Sequence, residues 1–260
     1  SVIPPGTNLE RFHPPGDGEE YPVLEKSKPF LRDMSKPIVL ALSRPDERKN
    51  IPVLLEAFGR SPELKEAANL LLIAGNREDV RDLDSGAQQV LTQLLLDMDA
   101  CDLWGSVALP KQHTVDDIAE VYRAVSHGRG VFINPALTEP FGLTLIEAAA
   151  SGLPIVATED GGPRDIIANC ENGLLVDPLD TKAIAEALLT VLLDWEGWQQ
   201  RSVSGLRGVR AHYSWEAHAS SYMDKVRHLA EKPRLIPADR PVPRASRHRN
   251  HAIFTYLDQN

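Results

Sequence analysis

The sequence predicts an α/β protein, Rossmann-like, with a parallel sheet covered by helices on both faces. Three observations predict it. Short apolar runs of strand length recur along the chain, segments with helical spacing of apolar residues separate them, and the strand-to-helix junctions are rich in glycine, proline and charge. With 260 residues, 42% of them hydrophobic and 25% charged, the chain has the balance of a globular protein with a sizeable core.

Residues 1–35 are rich in Pro, Gly and charge and read as an inter-domain linker. The folded unit is expected over residues 36–231. Residues 38–42 form an apolar run bounded by Lys36-Pro37 and Ser43-Arg44-Pro45, the pattern of a buried strand. Asn50 is placed to cap the helix that follows, with Pro52 early, where a missing N–H costs nothing, and Leu54, Leu55 and Phe58 at helical spacing. A second strand over 69–74 ends at Gly75, a leucine-bearing helix covers 87–98, and 106–109 is a short third strand. A helix over 115–124 leads to a strand over 130–134, and a helix over 143–150 leads to a strand over 154–158. After another short helix comes a strand over 173–176, and Ile184, Leu188, Val191 and Leu192 share one face of a helix over 182–194. A helix over 215–230 closes the unit. Residues 232–251 read as a basic linker rich in Pro and Arg, and residues 252–255 carry a new strand signal.

Several function classes are excluded. A formal net charge of -9 speaks against general nucleic-acid binding, which needs a positive face. There is no run of about eighteen apolar residues, so no membrane span is expected. The amino terminus lacks an initiator methionine and the order of a signal peptide, and reads as an internal cut. Cys101 and Cys170 are too few for a disulfide framework and lack metal-ligand spacing, which favours a reducing cytoplasm and no metal. Neither a Walker loop nor a dinucleotide glycine fingerprint is present.

In an open parallel sheet, ligands bind beyond the carboxyl ends of the strands. Three loops there carry chemistry. The first, after residue 42, holds Ser43, Arg44 and Lys49, and a guanidinium fork and an ammonium suit a diphosphate. The second, 135–142, contains Glu139, Phe141 and Gly142 and opens a helix whose first N–H groups, on Leu143 and Thr144, attract phosphate. Glu147 lies about one turn into that helix, so both carboxylates can face one cleft and accept hydrogen bonds from sugar hydroxyls. The third loop, 159–162, pairs Gly161 with Gly162 and permits close approach of a ligand. Taken singly, the first loop reads better as a solvated strand-to-helix connection, the Glu139 and Glu147 pair does not outweigh a helix-start acid and a surface charge, and the third loop reads equally well as a tight turn.

Taken in order, these segments resemble the family-4 retaining glycosyltransferases of the sucrose-phosphate synthase and sucrose synthase group. The resemblance rests on residues 2–6, 41–46, Lys49-Asn50, 130–136, 139–147, 152–158, 160–163 and 172–178, and covers most of the chain to about residue 231. It implies that residues 36–231 are the nucleotide-sugar-binding half of a two-domain GT-B enzyme. A missing amino-terminal domain would carry most of the site for a sugar phosphate acceptor. Arg44 and Lys49 would hold the donor diphosphate, and Gly142 to Thr144 the donor phosphate and hexose. Glu139 would contact the hexose and Glu147 the ribose. The implied reaction moves glucose from UDP-glucose to fructose 6-phosphate with retention, without metal, cofactor or enzyme nucleophile, and this fragment alone is expected to be inactive.

Two departures qualify the resemblance. Residues 109–114 only partly match the family's run near the nucleotide base, which leaves uridine against guanosine open, and mannosylfructose-phosphate synthases share the framework. Residues 252–260 resemble the first motif of haloacid-dehalogenase-like phosphatases, but Tyr256 stands where the nucleophilic Asp would be and Asn260 where Thr would be. Such a domain would be degenerate.

Overall fold

The computed structural model describes residues 3–231. Six strands form one parallel sheet: β1 (Ile38–Ser43), β2 (Asn69–Ala74), β3 (Val107–Ala108), β4 (Val131–Asn134), β5 (Ile155–Thr158) and β6 (Gly173–Val176). Their spatial order is β3-β2-β1-β4-β5-β6. Between them run α1 (Ile51–Arg60), α2 (Pro62–Ala67), α3 (Ser85–Ala100), α4 (Val115–His127), α5 (Leu143–Ala150) and α6 (Pro163–Cys170), followed by α7 (Thr181–Leu193), α8 (Trp195–His212) and α9 (Trp215–Glu231).

Successive side chains of a strand point to opposite faces, so each apolar strand feeds two cores. Val39 and Ala41 of β1 join Leu70 and Leu72 of β2 under α1, α3 and α7, where Leu54, Phe58, Leu91, Leu94 and Leu188 are buried. Leu40 and Leu71 point the other way, to a second core closed by α4, α5 and α6 through Tyr122, Leu145, Ile146 and Ile166. This is the helix-covered parallel sheet that the sequence predicts.

Three features differ from the sequence reading. Residues 3–35 are not a free linker: Phe12, Val23 and Leu31 are buried in the second core. Leu31 bridges Gly105 and Thr7 bridges Ser214, so extended backbone is stitched to the unit at both ends of the segment. The segment's apolar residues are too widely and irregularly spaced to produce a period, and composition alone concealed their burial. Second, Asn50 adopts a left-handed backbone (φ 55) and makes no side-chain cap to α1. Its amide is used elsewhere, as shown below. Third, α8 is a helix that the periodicity does not announce, because its buried face is built partly from glycine.

The Trp198 indole donates to Gly130 O at 2.8 Å and fixes α8 beside the start of β4. Gly205 lies against Asn172, and a Cβ on Gly208 would stand 2.5 Å from the Cα of Cys170. The helix therefore approaches α6 as closely as its backbone permits. Gly208→Ala is expected to lower unfolding stability by about 1–3 kcal/mol, although alanine is the better helix former. Urea unfolding reads this directly, and an unchanged or higher midpoint would contradict the packing.

Residues 3–222 belong to one compact unit, and residues 223–231, the end of α9, group separately from it. The expected basic linker (232–251) and phosphatase-like start (252–260) lie outside the described residues. No helix among the described residues is long and apolar enough to cross a membrane.

Candidate functional site

The strand order reverses between β1 and β4: from β1 the chain moves outward through β2 and β3, then returns to lay β4 on the other side of β1. Loops leaving the two strands diverge there and open a crevice at the carboxyl edge of the sheet. Ser43, Arg44 and Lys49 arrive from β1. Glu139, Phe141, Gly142, Leu143 and Thr144 arrive from β4. The topology thus brings to one crevice two groups separated by about ninety positions in sequence.

At the crevice, Lys49 Nζ pairs with Glu139 Oε2 at 2.8 Å. The same oxygen accepts from Asn134 Nδ2 at 3.0 Å, and Asn134 Oδ1 accepts from the backbone of Ala136 at 3.1 Å. Burial pushes the Glu139 carboxyl up, but the hydrogen bonds from Lys49 and Asn134 outweigh it and hold the group below the usual carboxylate range. Glu139 is therefore a buried anion, and its second oxygen, Oε1, is left out of these two bonds.

The loops around the pair are tied to one another. Asn50 Nδ2 donates to Pro135 O at 3.0 Å and to Pro178 O at 2.7 Å, joining the loops after β1, β4 and β6. These two bonds orient the side chain toward the loops, and with the left-handed backbone its oxygen makes no cap to α1. Glu139 N donates to Asp160 O at 3.2 Å, and Gly162 N donates back to Glu139 O at 2.8 Å. Thr138 Oγ1 donates to Asp160 Oδ2 at 2.6 Å at the mouth of the same turn. Gly161 holds φ +98, and a Cβ there would lie 2.2 Å from Glu139 O, so the loop after β5 can dock only as glycine.

Gly142, at φ 102, turns the chain into α5. The N–H groups of Leu143 and Thr144 precede the first intrahelical bond and face the carboxyl edge of the sheet. Leu143 is half exposed, whereas Phe141 turns away and packs edge-on against Tyr213 with ring centroids 6.3 Å apart. The Ser43 hydroxyl donates to Arg44 O at 3.0 Å within its own loop. Arg44 lines a cavity of about 650 Å³ with Asp46, Asn76 and Asp84. Lys49 and Glu139 stand outside that cavity's lining.

Glu147 has other immediate partners than Glu139. It packs over the fully buried Tyr122, whose hydroxyl donates to Thr144 O at 3.3 Å and reaches Glu147 as well. Burial pushes the Glu147 carboxyl up to about 7, only partly opposed by Arg11 and Tyr122. The Glu139 carboxyl instead meets Lys49, Asn134 and the backbone of Phe141. Asn50, Asn134 and Asp160 lie inside the segments that carry the resemblance, but motif reading gave none of them a part in the site, and Tyr122 carried no signal beyond helical spacing.

The raised Glu147 fixes a pH dependence. Its folded value lies above the ordinary 4.5, so ionisation opposes folding. The stability contribution is complete below about 4.5 and is lost as pH rises through about 7. Glu147→Gln is expected to leave the melting temperature unchanged near pH 4 and to stabilise the ligand-free chain by about 1–3 kcal/mol above pH 7. Melting curves across that range would count against this environment if the variant and the parent stayed parallel.

Farther along the carboxyl edge, the loops after β2 and β3 lock together. Asn76 donates to His113 O at 2.8 Å and accepts from His113 N at 2.8 Å, and Arg77 N donates to Lys111 O at 2.9 Å. The 109–114 segment is therefore held rigidly beside the crevice.

The model of the family described as glycosyl transferases group 1 matches residues 23–203. The chain belongs to this family. It is 53% identical over 244 residues to a sucrose-phosphate synthase of Zea mays, a match covering 86% of this chain and 23% of the maize protein. It is 48% identical over 240 residues to a probable sucrose-phosphate synthase 1 of Oryza sativa subsp. indica, covering 86% of this chain and 22% of that protein. The chain thus spans between a fifth and a quarter of the length of these curated relatives. Among solved structures, a sucrose-phosphate synthase from Thermosynechococcus elongatus superposes with a TM-score of 0.70 at 30% identity, covering 88% of this chain and 52% of the other. The Anabaena protein HepE, solved with UDP and glucose, shares the fold at a TM-score of 0.69 and 18% identity. The group 1 glycosyltransferase fold seen here is one Rossmann-like half of the GT-B architecture.

Proposed function

We propose that residues 36–231 are the donor domain of a retaining hexosyltransferase that takes UDP-glucose as donor and fructose 6-phosphate as acceptor, as a sucrose-phosphate synthase does. The Lys49–Glu139 pair at the strand-order reversal carries this reading, with the likeness to the maize and rice proteins behind it. In this scheme Lys49 and Arg44 contact the donor diphosphate. The α5 start, from Gly142 to Thr144, contacts phosphate and hexose through backbone N–H groups, with Ser43 and Phe141 at its margins. Glu139 Oε1 accepts from a hexose hydroxyl, and Glu147 accepts from the ribose.

The chemistry proposed is substitution at the anomeric carbon with departure and attack on one face. As the bond to the leaving diphosphate stretches, negative charge grows on its oxygens, and Lys49, Arg44 and the helix dipole stabilise it more than they stabilise the ground state. A leaving phosphate oxygen takes the acceptor proton. No cofactor enters the scheme, and the free thiols Cys101 and Cys170 are consistent with a cytoplasmic setting. The acceptor site is assigned to a further domain, so this chain alone is expected to bind donor without turning it over.

Calorimetric titration of the 260-residue chain with UDP, UDP-glucose and GDP-mannose tests the proposal. Binding of UDP-glucose in preference to GDP-mannose is the expected result. Preference for GDP-mannose would replace the donor assignment, and binding of none would remove the donor-domain reading.

A further inference from the structure

A cavity of about 540 Å³ opens on the opposite edge of the sheet from the donor crevice. Helix α5 starts at the crevice, beyond the carboxyl end of β4, and runs to the amino edge. Its last residue, Ala150, lines this cavity. The volume falls in the range of small-molecule sites, and Leu9, Phe12 and Leu206 supply an apolar floor. His13, Arg207 and Arg210 supply the rim, and no acidic residue lines it.

An acid-free cavity with two guanidinium groups is unusual on a chain of formal net charge -9. Some arginines elsewhere are paired closely, as in Arg48 with Asp46 at 2.7 Å and Arg123 with Glu19 at 2.7 Å. At the cavity, Arg207 meets Glu171 only at 3.7 Å with both side chains nearly three-quarters exposed, a contact of little energetic weight. Arg210 makes no ion pair among the described residues, although it also lines an adjoining cavity of about 640 Å³ in which Glu10 and Glu216 stand. Arg207 and Arg210 stand three positions apart on α8, hence on one face of the helix, where both can reach a single anionic head group.

We infer that this cavity is a second ligand site, separate from the donor crevice, that takes a small free carboxylate with an apolar body. The body lies on Leu9, Phe12 and Leu206, and the carboxylate meets Arg210 and Arg207 at the rim. Neither part suffices alone. An anion without a body forfeits the apolar floor, and a neutral body leaves the guanidinium groups without a partner.

Octanoate is the probe. It is titrated by calorimetry into the 260-residue chain beside acetate, which has the charge without the body, and 1-octanol, which has the body without the charge. Octanoate is expected to bind at least about tenfold more tightly than either. The double variant Arg207→Glu with Arg210→Glu is expected to weaken octanoate at least about tenfold while keeping the melting temperature, since both side chains are exposed. Arg210→Gln, a milder change, is expected to weaken it several-fold. Equal binding of octanoate and acetate, equal binding of octanoate and octanol, or unchanged octanoate affinity in the folded variants would each overturn the assignment.

Discussion

Replacing Lys49 with methionine is expected to destabilise the chain by about 2–3 kcal/mol near neutral pH, because it leaves a buried carboxylate without its cation. The size follows from the setting. Lys49 and Glu139 side chains are 26% and 12% exposed, so the pair lies between a surface bridge and a fully buried one, and Asn134 still donates to the orphaned oxygen. The sign with pH is also fixed. In the parent, Glu139 is held below the ordinary 4.5, so its stabilisation is complete above that value and is lost as pH falls through the depressed one. In Lys49→Met the uncompensated anion is relieved by protonation, so the gap between variant and parent should narrow on acidification. Urea unfolding at neutral and acidic pH measures it, and a gap that stayed constant would place the cost elsewhere. On the proposed function, the same variant also loses about ten- to a hundredfold in UDP-glucose affinity, the scale of a charged hydrogen bond.

Gly161→Ala is expected to cost about 2–4 kcal/mol, combining left-handed backbone strain with a backbone collision. Its Cβ would meet Glu139 O at 2.2 Å, within the bridge that joins the loop after β5 to the loop after β4. That bridge sets the backbone of Glu139, so on the proposed function donor affinity should fall together with stability. Gly18 is the control. It also has positive φ, at 72, but nothing lies within 4 Å of an added Cβ, so Gly18→Ala should cost only about 1–2 kcal/mol. If the two alanine variants unfolded at the same urea concentration, the collision at Gly161 would not be the source of its cost.

The legible part of the site was the part written in local sequence. Gly142 followed by an amphipathic octet marks a helix start, and charged loops after apolar runs mark the carboxyl edge. The pairing of Lys49 with Glu139 was not legible, since the two are brought together only when β4 returns to lie beside β1. Asn50 shows the same limit. Its position before Pro52 fits a helix cap, but its backbone is left-handed, its oxygen makes no cap, and its Nδ2 donates to two carbonyls of remote loops, Pro135 and Pro178. Glu147 sits one turn into α5, as its number requires, yet its surroundings are set by Tyr122 from another helix and Arg11 from the amino-terminal segment.

By itself, the sequence determined the strand and helix alternation and the parallel class of the sheet, because apolar runs of strand length, the 3.6 period of helices and turn residues act over a few positions. The tertiary structure decided the strand order, the burial of Phe12, Val23 and Leu31, the close seating of α8 through Gly205 and Gly208, and which carboxylate stands beside which cation. Those depend on contacts between distant segments, whose free energy is realised only when the two cores close on both faces of the sheet.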